Sequence, residues 1–235
     1  MTHTVVVASG GLDSTAAMAL HAAAGDHLTA VTINYGQRHI REIAAARAVA
    51  GHYDADHVVV DLPDLARVLT GSALTDPAVA VPHGHYAAPT MAATVVPNRN
   101  AILANVAVGI AVAIKADAVV VGIHVGDHPV YPDCRPEFID ALQVCVAAAT
   151  AGYHTPRVDA PFVHWTKTAV ARLAAKLGAP IELTWSCYEG GELHCGRCGT
   201  CVERREALEL AGVADPTAYR PDDVKGRTHG HVLDR

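Results

Sequence analysis

Near the N-terminus, Ser9-Gly10-Gly11-Leu12-Asp13-Ser14 brings together two glycines, two hydroxyls and a carboxylate, directly after the apolar run Val5-Val6-Val7-Ala8. Glycine lets backbone N–H groups approach an anion, the hydroxyls of Ser9 and Ser14 can donate to it, and the helix that follows presents N–H groups with no partner inside the helix. This is the chemistry of a phosphate cradle; the plainer alternative is a glycine turn into a helix N-terminus. No Walker lysine follows the glycines and the loop is not a GxGxxG, so neither a P-loop nucleotidase nor a dinucleotide-binding turn fits it. Asp13 either holds Mg2+ against the phosphates or braces the loop, and residue type does not choose between these roles.

A second group lies near the other end. Cys187, Cys195, Cys198 and Cys201 are separated by seven, two and two residues, and two overlapping CxxC turns bring thiolates onto one tetrahedral ion. Four thiolates leave no open position, which points to one structural Zn2+ rather than a catalytic metal or a redox pair. Gly196 and Gly199 free the backbone to turn between ligands, and Arg204 and Arg205 are expected to begin the next helix. A zinc ribbon that binds nucleic acid is the competing reading, and a net charge of -6 argues against it. Of the other two cysteines, Cys145 falls in an apolar helix and is expected to be buried. Cys134, in the polar turn Tyr131-Pro132-Asp133-Cys134-Arg135, either packs or contacts a ligand.

These groups need a scaffold. At 51% hydrophobic and 18% charged residues the chain is of ordinary globular composition, and 235 residues suit one α/β domain. Short β-branched runs, Val5–Ala8, Leu28–Asn34, His57–Asp61 and Ala118–Ile123, alternate with helical patterns over Ser14–Ala24, Ile40–His52, Asn100–Lys115 and Pro136–Thr150. Alternation of this kind predicts a Rossmann-like, doubly wound parallel sheet. Its ligands lie beyond the carboxyl ends of the strands, where Ser9–Asp13, Asn34–His39 and His124–Arg135 converge. Leu69–Val96 reads as a long loop that can act as a lid, and everything from Asp215 onward as a loosely packed polar tail. The expected organisation is an α/β ATP-binding domain over 1–180, a zinc-binding segment over 181–212 packed on it, and the tail over 213–235. Met1–Ala8 has neither the charged stretch nor the apolar core of a secretory signal, so a cytoplasmic protein with no membrane or nucleic-acid partner is expected.

The loop resembles the SGGxDS signature of the PP-loop ATP pyrophosphatases, the adenine nucleotide alpha hydrolase-like enzymes that split ATP between its α and β phosphates. With Tyr35-Gly36-Gln37-Arg38-His39, Val96-Pro97-Asn98-Arg99-Asn100, Tyr131-Pro132-Asp133-Cys134-Arg135-Pro136-Glu137-Phe138 and Leu183-Thr184-Trp185-Ser186-Cys187-Tyr188, the whole set resembles the 7-cyano-7-deazaguanine synthases from about Val5 to about Arg205. The resemblance implies a homodimeric ATP-dependent carbon–nitrogen ligase that converts 7-carboxy-7-deazaguanine and ammonia to the nitrile, with Mg2+ accompanying ATP. It further implies that Ala8, Ser9, Gly10, Gly11, Leu12, Asp13 and Ser14 bind ATP, and that Asp13, Arg99 and Lys167 act in catalysis. Lys167, Arg38 and Arg99 are the candidate cations for the phosphates. Tyr35, Gln37, Arg38, Asp133 and Arg135 fall to the substrate, Asp133 facing a guanine-like edge and Arg135 the 7-carboxylate. Asn98 stands where the family often has Gly. A related adenylating enzyme acting on another carboxylate, on tRNA or on protein, and a non-catalytic ATP-binding zinc module, are the alternatives.

Overall fold

The computed structural model describes residues 1–221. Five parallel strands, β1 (His3–Val7), β2 (His27–Asn34), β3 (Asp56–Asp61), β4 (Ala118–Val120) and β5 (Arg157–Asp159), form one sheet in the order β3-β2-β1-β4-β5. Between them run the helices α1 (Leu12–Ala23), α2 (Arg41–His52), the short α3 (Leu65–Val68) and α4 (Ala88–Met91), α5 (Arg99–Ile114) and α6 (Pro136–Ala149). After β5 come α7 (Lys167–Lys176) and α8 (Gly199–Ala211).

Side chains alternate across a strand, and here both faces are apolar because both are covered. Val6, Ala30 and Val120 pack with α1, α2, α7 and α8; Val5, Val31 and Val119 pack with α5 and α6. In register, Val5 faces Thr29 and Val119, and Val6 faces Ala30 and Val120. The buried alanines of α1, Ala16, Ala17 and Ala19, lie in the first of these layers, where small side chains allow a helix close approach to the sheet. The winding reverses between β1 and β4, which makes their carboxyl ends the topological switch point.

The expected doubly wound sheet is the one present, with element ends shifted by a few residues. The strand expected to reach Ile123 stops at Val120, because the chain turns there across the switch point. β5 is only three residues long and carries no periodic signal of its own. Three expectations are corrected. The helix after the cysteines begins at Gly199, so Cys201 lies inside it and Arg204 stands in its second turn, fully buried, rather than at its start. Cys145 is exposed, since it points away from the α6 face that buries Leu142 and Val146. Asp215 to Tyr219 are packed rather than loose: Arg204 Nε donates to Thr217 Oγ1 (2.7 Å) and Tyr219 Oη to Asp215 Oδ2 (2.6 Å). The remainder of the expected tail, 222–235, lies outside the described residues. The 69–96 segment is largely irregular but pinned, with Ser72, Ala73, Leu74, Met91 and Thr94 buried.

Arg204 is the most deeply buried cation among the described residues. Its guanidinium donates to Thr184 Oγ1 (2.7 Å), Ser186 Oγ (3.3 Å) and Ile181 O (3.0 Å), and pairs with Asp215 at 3.4 Å. It thus ties α8 to the chain on both sides of the cysteine segment. Removing one partner of a buried ion pair costs about 3–5 kcal/mol, because the group left behind has lost its water as well. Arg204→Ala is expected to lower unfolding stability by about 3 kcal/mol in urea titration, whereas exposed Arg67→Ala is expected to leave it unchanged within about 0.5 kcal/mol.

Candidate functional site

The site is built on the two chain exits at the switch point. After β1, Gly10 adopts φ +78°, and a Cβ there would stand 2.3 Å from Glu42 O, so the loop needs glycine both for its conformation and for the approach of α2. Ser9 Oγ lies 3.2 Å from Ser14 Oγ and accepts from Gly11 N–H (3.2 Å), while Ser14 Oγ donates to Gly11 O (3.1 Å). The N-cap of α1, Gly11, offers no side-chain cap. The first-turn N–H groups of this 12-residue helix therefore face the cleft as an anion site. After β4, Gly122 lies directly against this loop: a Cβ on it would sit 2.9 Å from both Asp13 C and Ser14 N.

Lys167, the first residue of α7, enters from the other side; Thr166 caps that helix by accepting from Ala169 N–H at 3.3 Å. Lys167 Nζ lies 2.5 Å from Asp13 Oδ2, 3.7 Å from Glu203 Oε2 and 3.5 Å from His124 Nε2. Burial works against the lysine's charge, yet Asp13, Glu203 and Asp127 raise its pKa above the ordinary value. For Asp13, burial pushes up, but Lys167 and His124 together hold the carboxyl below its usual range. Burial raises Glu203, and Lys167 opposes it only in part. Asp127 belongs to the same group: its Oδ2 lies 3.6 Å from His124 Nε2. Three carboxylates thus face one lysine. Asp13 Oδ1 is buried without a hydrogen-bond partner among the described residues, so it remains available to a cation.

Both loops open into one cleft of about 210 Å³. Its far half is aromatic: Tyr35, Tyr86, Tyr131 and Tyr188 line it, with Arg99 among them. Burial pushes the Tyr35 hydroxyl up to about 12 and also raises Tyr131 and Tyr188. Burial opposes the Arg99 charge, and the oxygens of Tyr35, Tyr188 and Tyr131 more than offset it.

Of the residues singled out from sequence, Ser9, Gly11, Leu12, Asp13, Ser14, Tyr35, Arg99, Asp133 and Lys167 line this cleft. Ala8 and Gly10 shape the loop behind it. Gln37 is buried beneath, accepting from Tyr35 N–H (2.9 Å) and donating to Glu42 (2.9 Å). Arg38 turns away to the carbonyls of Asp76 and Val79 (2.9 and 3.1 Å), and Arg135 donates to His128 O (2.9 Å). Neither guanidinium belongs to the cleft lining. Asp133 accepts from Asn100 N–H (2.9 Å) and Nδ2 (3.3 Å), which engages both of its oxygens. Cys134 is buried in the cleft wall and accepts from Asn100 Nδ2 (3.0 Å), while burial raises its thiol pKa. Asn98 adopts φ 56°, ψ 21°, the left-handed region that Gly and Asn share, so the backbone absorbs this departure from the family pattern. Sequence reading placed the loop His124–Arg135 at the cleft without singling out His124 or Asp127, and missed Glu203, Tyr86 and Thr200. Of the missed residues, Glu203 carried a cue in its place two residues after Cys201.

The four cysteines are fully buried, and their Sγ atoms all lie within 4.8 Å of one another. Four thiolates at about 2.3 Å from one tetrahedral ion stand about 3.8 Å apart, so a small adjustment completes a metal centre. Trp185 joins this knuckle to the phosphate loop: its N–H donates to Gly10 O (2.8 Å) and its Nε1 to Cys187 O (2.9 Å).

A doubly wound parallel sheet with a glycine loop at its switch point, tyrosines lining the same cleft and four clustered cysteines that could hold a metal ion defines an α/β enzyme fold with a cysteine-rich C-terminal segment. The chain belongs to the family described as Queuosine biosynthesis protein QueC, which it matches over residues 3–212. It is 52% identical over 221 residues to a 7-cyano-7-deazaguanine synthase of Brucella anthropi, covering 94% of each chain. It is also 53% identical to that of Rhizobium rhizogenes (94% of this chain, 93% of the other) and 51% to that of Allorhizobium ampelinum (93% of each). Among solved structures, the U34-tRNA thiolase NcsA of Methanococcus maripaludis is 15% identical with a TM-score of 0.48, over 89% of this chain and 65% of that one. The NMN synthetase of Francisella tularensis is 14% identical with a TM-score of 0.46, over 90% and 78%. At these scores neither adds to the functional argument.

Two outcomes follow from this geometry. Gly122→Ala would drive a methyl into the Asp13–Ser14 backbone; it is expected to cost at least about 100-fold in kcat/KM, with the far-ultraviolet circular dichroism of the wild type. Stripping bound metal with a chelator is expected to lower the midpoint of thermal unfolding, because four buried thiols then lose their common partner. Metal analysis before and after, and recovery on adding Zn2+ back, checks it.

Proposed function

We propose that this protein is an ATP-dependent ligase that converts 7-carboxy-7-deazaguanine and ammonia to 7-cyano-7-deazaguanine, the product in the names of its relatives. The observation that carries this reading is one cleft with two unlike halves, an anion cradle at the N-terminus of α1 and a tyrosine-lined space. The cradle suits the β and γ phosphates and the aromatic half a planar base.

A carboxylate does not lose oxygen to ammonia without activation. The acid oxygen attacks the α phosphorus, pyrophosphate leaves, and ammonia displaces AMP from the acyl carbon to give the amide, releasing a proton. The amide oxygen then attacks the α phosphorus of a second ATP, a second pyrophosphate leaves, and loss of AMP and two protons yields the nitrile. Ser9, Ser14 and the free N–H groups of α1 hold the departing pyrophosphate in place, and Lys167 contributes positive charge beside it. Asp13 positions Lys167, and its unpartnered Oδ1, with Glu203 and Asp127 nearby, fits a Mg2+ carried in by ATP. Cys187, Cys195, Cys198 and Cys201 would hold one structural Zn2+, which closes the knuckle and orients α8.

The reading extends to a homodimer in the cytoplasm. α5 carries apolar residues on every side, and Ile114 at its end and Val144 on α6 are exposed at 41% and 70%. No described helix is long and apolar enough to cross a membrane.

Purified, metal-loaded protein supplied with Mg-ATP, ammonium and 7-carboxy-7-deazaguanine is expected to form the nitrile, AMP and pyrophosphate, followed by mass spectrometry. Return of unchanged base and ATP would sink the assignment. Asp13→Ala is expected to lose at least about 100-fold in turnover while remaining folded; unimpaired turnover would remove Asp13 from the mechanism.

A further inference from the structure

Arg99 is the first residue of α5 and projects into the aromatic half of the cleft. Its guanidinium carbon lies 5.9 Å from the centre of the Tyr131 ring, and its Nε donates to Asn100 Oδ1 at 3.2 Å. Tyr35, Tyr188 and Cys134 also lie beside it. Among the described residues no carboxylate lies within ion-pair distance of it. Of the acids lining the cleft, Asp133 is held by Asn100 and Asp127 accepts from Tyr86 Oη (3.1 Å). A guanidinium walled by rings and lacking a counter-ion is costly, and a ligand that brings its own anion removes the cost.

Two anions enter the proposed reaction, and the cleft offers two cations, Lys167 and Arg99. The phosphates have the α1 N-terminus, Ser9, Ser14 and Lys167. Around Arg99 the walls are flat rings, which complement a planar heterocycle and not a triphosphate chain. Arg135, which the family resemblance assigns to the substrate carboxylate, is spent on His128 O outside the lining.

We propose that Arg99 is the carboxylate anchor of the substrate subsite: it binds the acid group of a planar heteroaromatic acid through charge-assisted hydrogen bonds and so distinguishes the acid from its neutral amide and nitrile successors. This rests on the function proposed above. The guanidinium fork matches a carboxylate in two parallel N–H···O bonds, whereas an amide oxygen accepts one or two without charge and a nitrile offers a single weak acceptor. The acid is therefore held tightly while it awaits adenylation, and the finished nitrile leaves.

Calorimetry on metal-loaded protein tests this with four ligands, 7-carboxy-7-deazaguanine, its amide, its nitrile and Mg-ATP. Wild-type protein is expected to bind the acid more tightly than the nitrile. Arg99→Met is expected to weaken the acid at least about 30-fold, with nitrile and Mg-ATP held within about threefold. Arg99→Lys, which keeps the charge but not the fork, is expected to lose about tenfold for the acid and nothing for the nitrile; its binding decides between the outcomes should Arg99→Met fail to fold. Loss of Mg-ATP binding in either variant would move Arg99 to the phosphates and overturn the proposal. Undiminished preference for the acid in Arg99→Met, or in Arg99→Lys alone if only that variant folds, would overturn the anchor and leave the proposed function standing. If wild-type protein binds none of the three bases, the anchor and the proposed function fall together.

Discussion

The buried ion pair between Lys167 and Asp13 joins elements that the chain order keeps far apart: Asp13 opens α1, Lys167 opens α7, and Glu203 of α8 and His124 beyond β4 stand within 4 Å of the lysine nitrogen. Burying either charge alone would cost several kcal/mol, so each is tolerated only while the other is in place. The pair also keeps the lysine charged and the aspartate ionised at neutral pH, the state in which a phosphate meets a cation. Close packing makes that geometry possible. Without Gly122 the turn after β4 could not approach Asp13, and without Gly10 the loop could not lie against α2.

The cysteine knuckle belongs to the same construction. Ser186 lines the cleft just before Cys187 and Tyr188 just after it, while Thr200 and Glu203 flank Cys201. Trp185 bonds the segment to the loop carbonyl of Gly10, and Arg204 fastens the underside. A metal on the four thiolates would therefore hold in place side chains that line the cleft. This division suits the fold: the sheet supplies the anion site at its switch point, and a cross-linked C-terminal segment closes the cleft over it.

Much of this was legible from residue order. The alternation of β-branched runs with Ala-rich helices carried the doubly wound sheet, because strand and helix periods are local properties of the chain. SGGLDS and the four spaced cysteines announced a glycine loop opening α1 and a cysteine cluster, because each is a contiguous segment whose shape follows from backbone freedom and spacing. Membership of the QueC family was readable from the motifs in series.

Direction was not legible. Arg38, Arg99 and Arg135 look alike as motif arginines, yet one caps the carbonyls of the 69–96 segment, one reaches His128, and only Arg99 enters the cleft. Arg204, expected at a helix start, is the most deeply buried cation described, and Glu203 beside it lines the cleft. Which way a side chain points depends on where its helix begins, and an error of a few residues there redirects every residue on it. Residue types and spacing by themselves determined the fold class, the glycine loop at the switch point and the grouping of the four cysteines. Tertiary packing alone decided which charges meet, because Asp13, His124, Lys167 and Glu203 come from four separate segments whose convergence depends on long-range burial rather than on any local pattern.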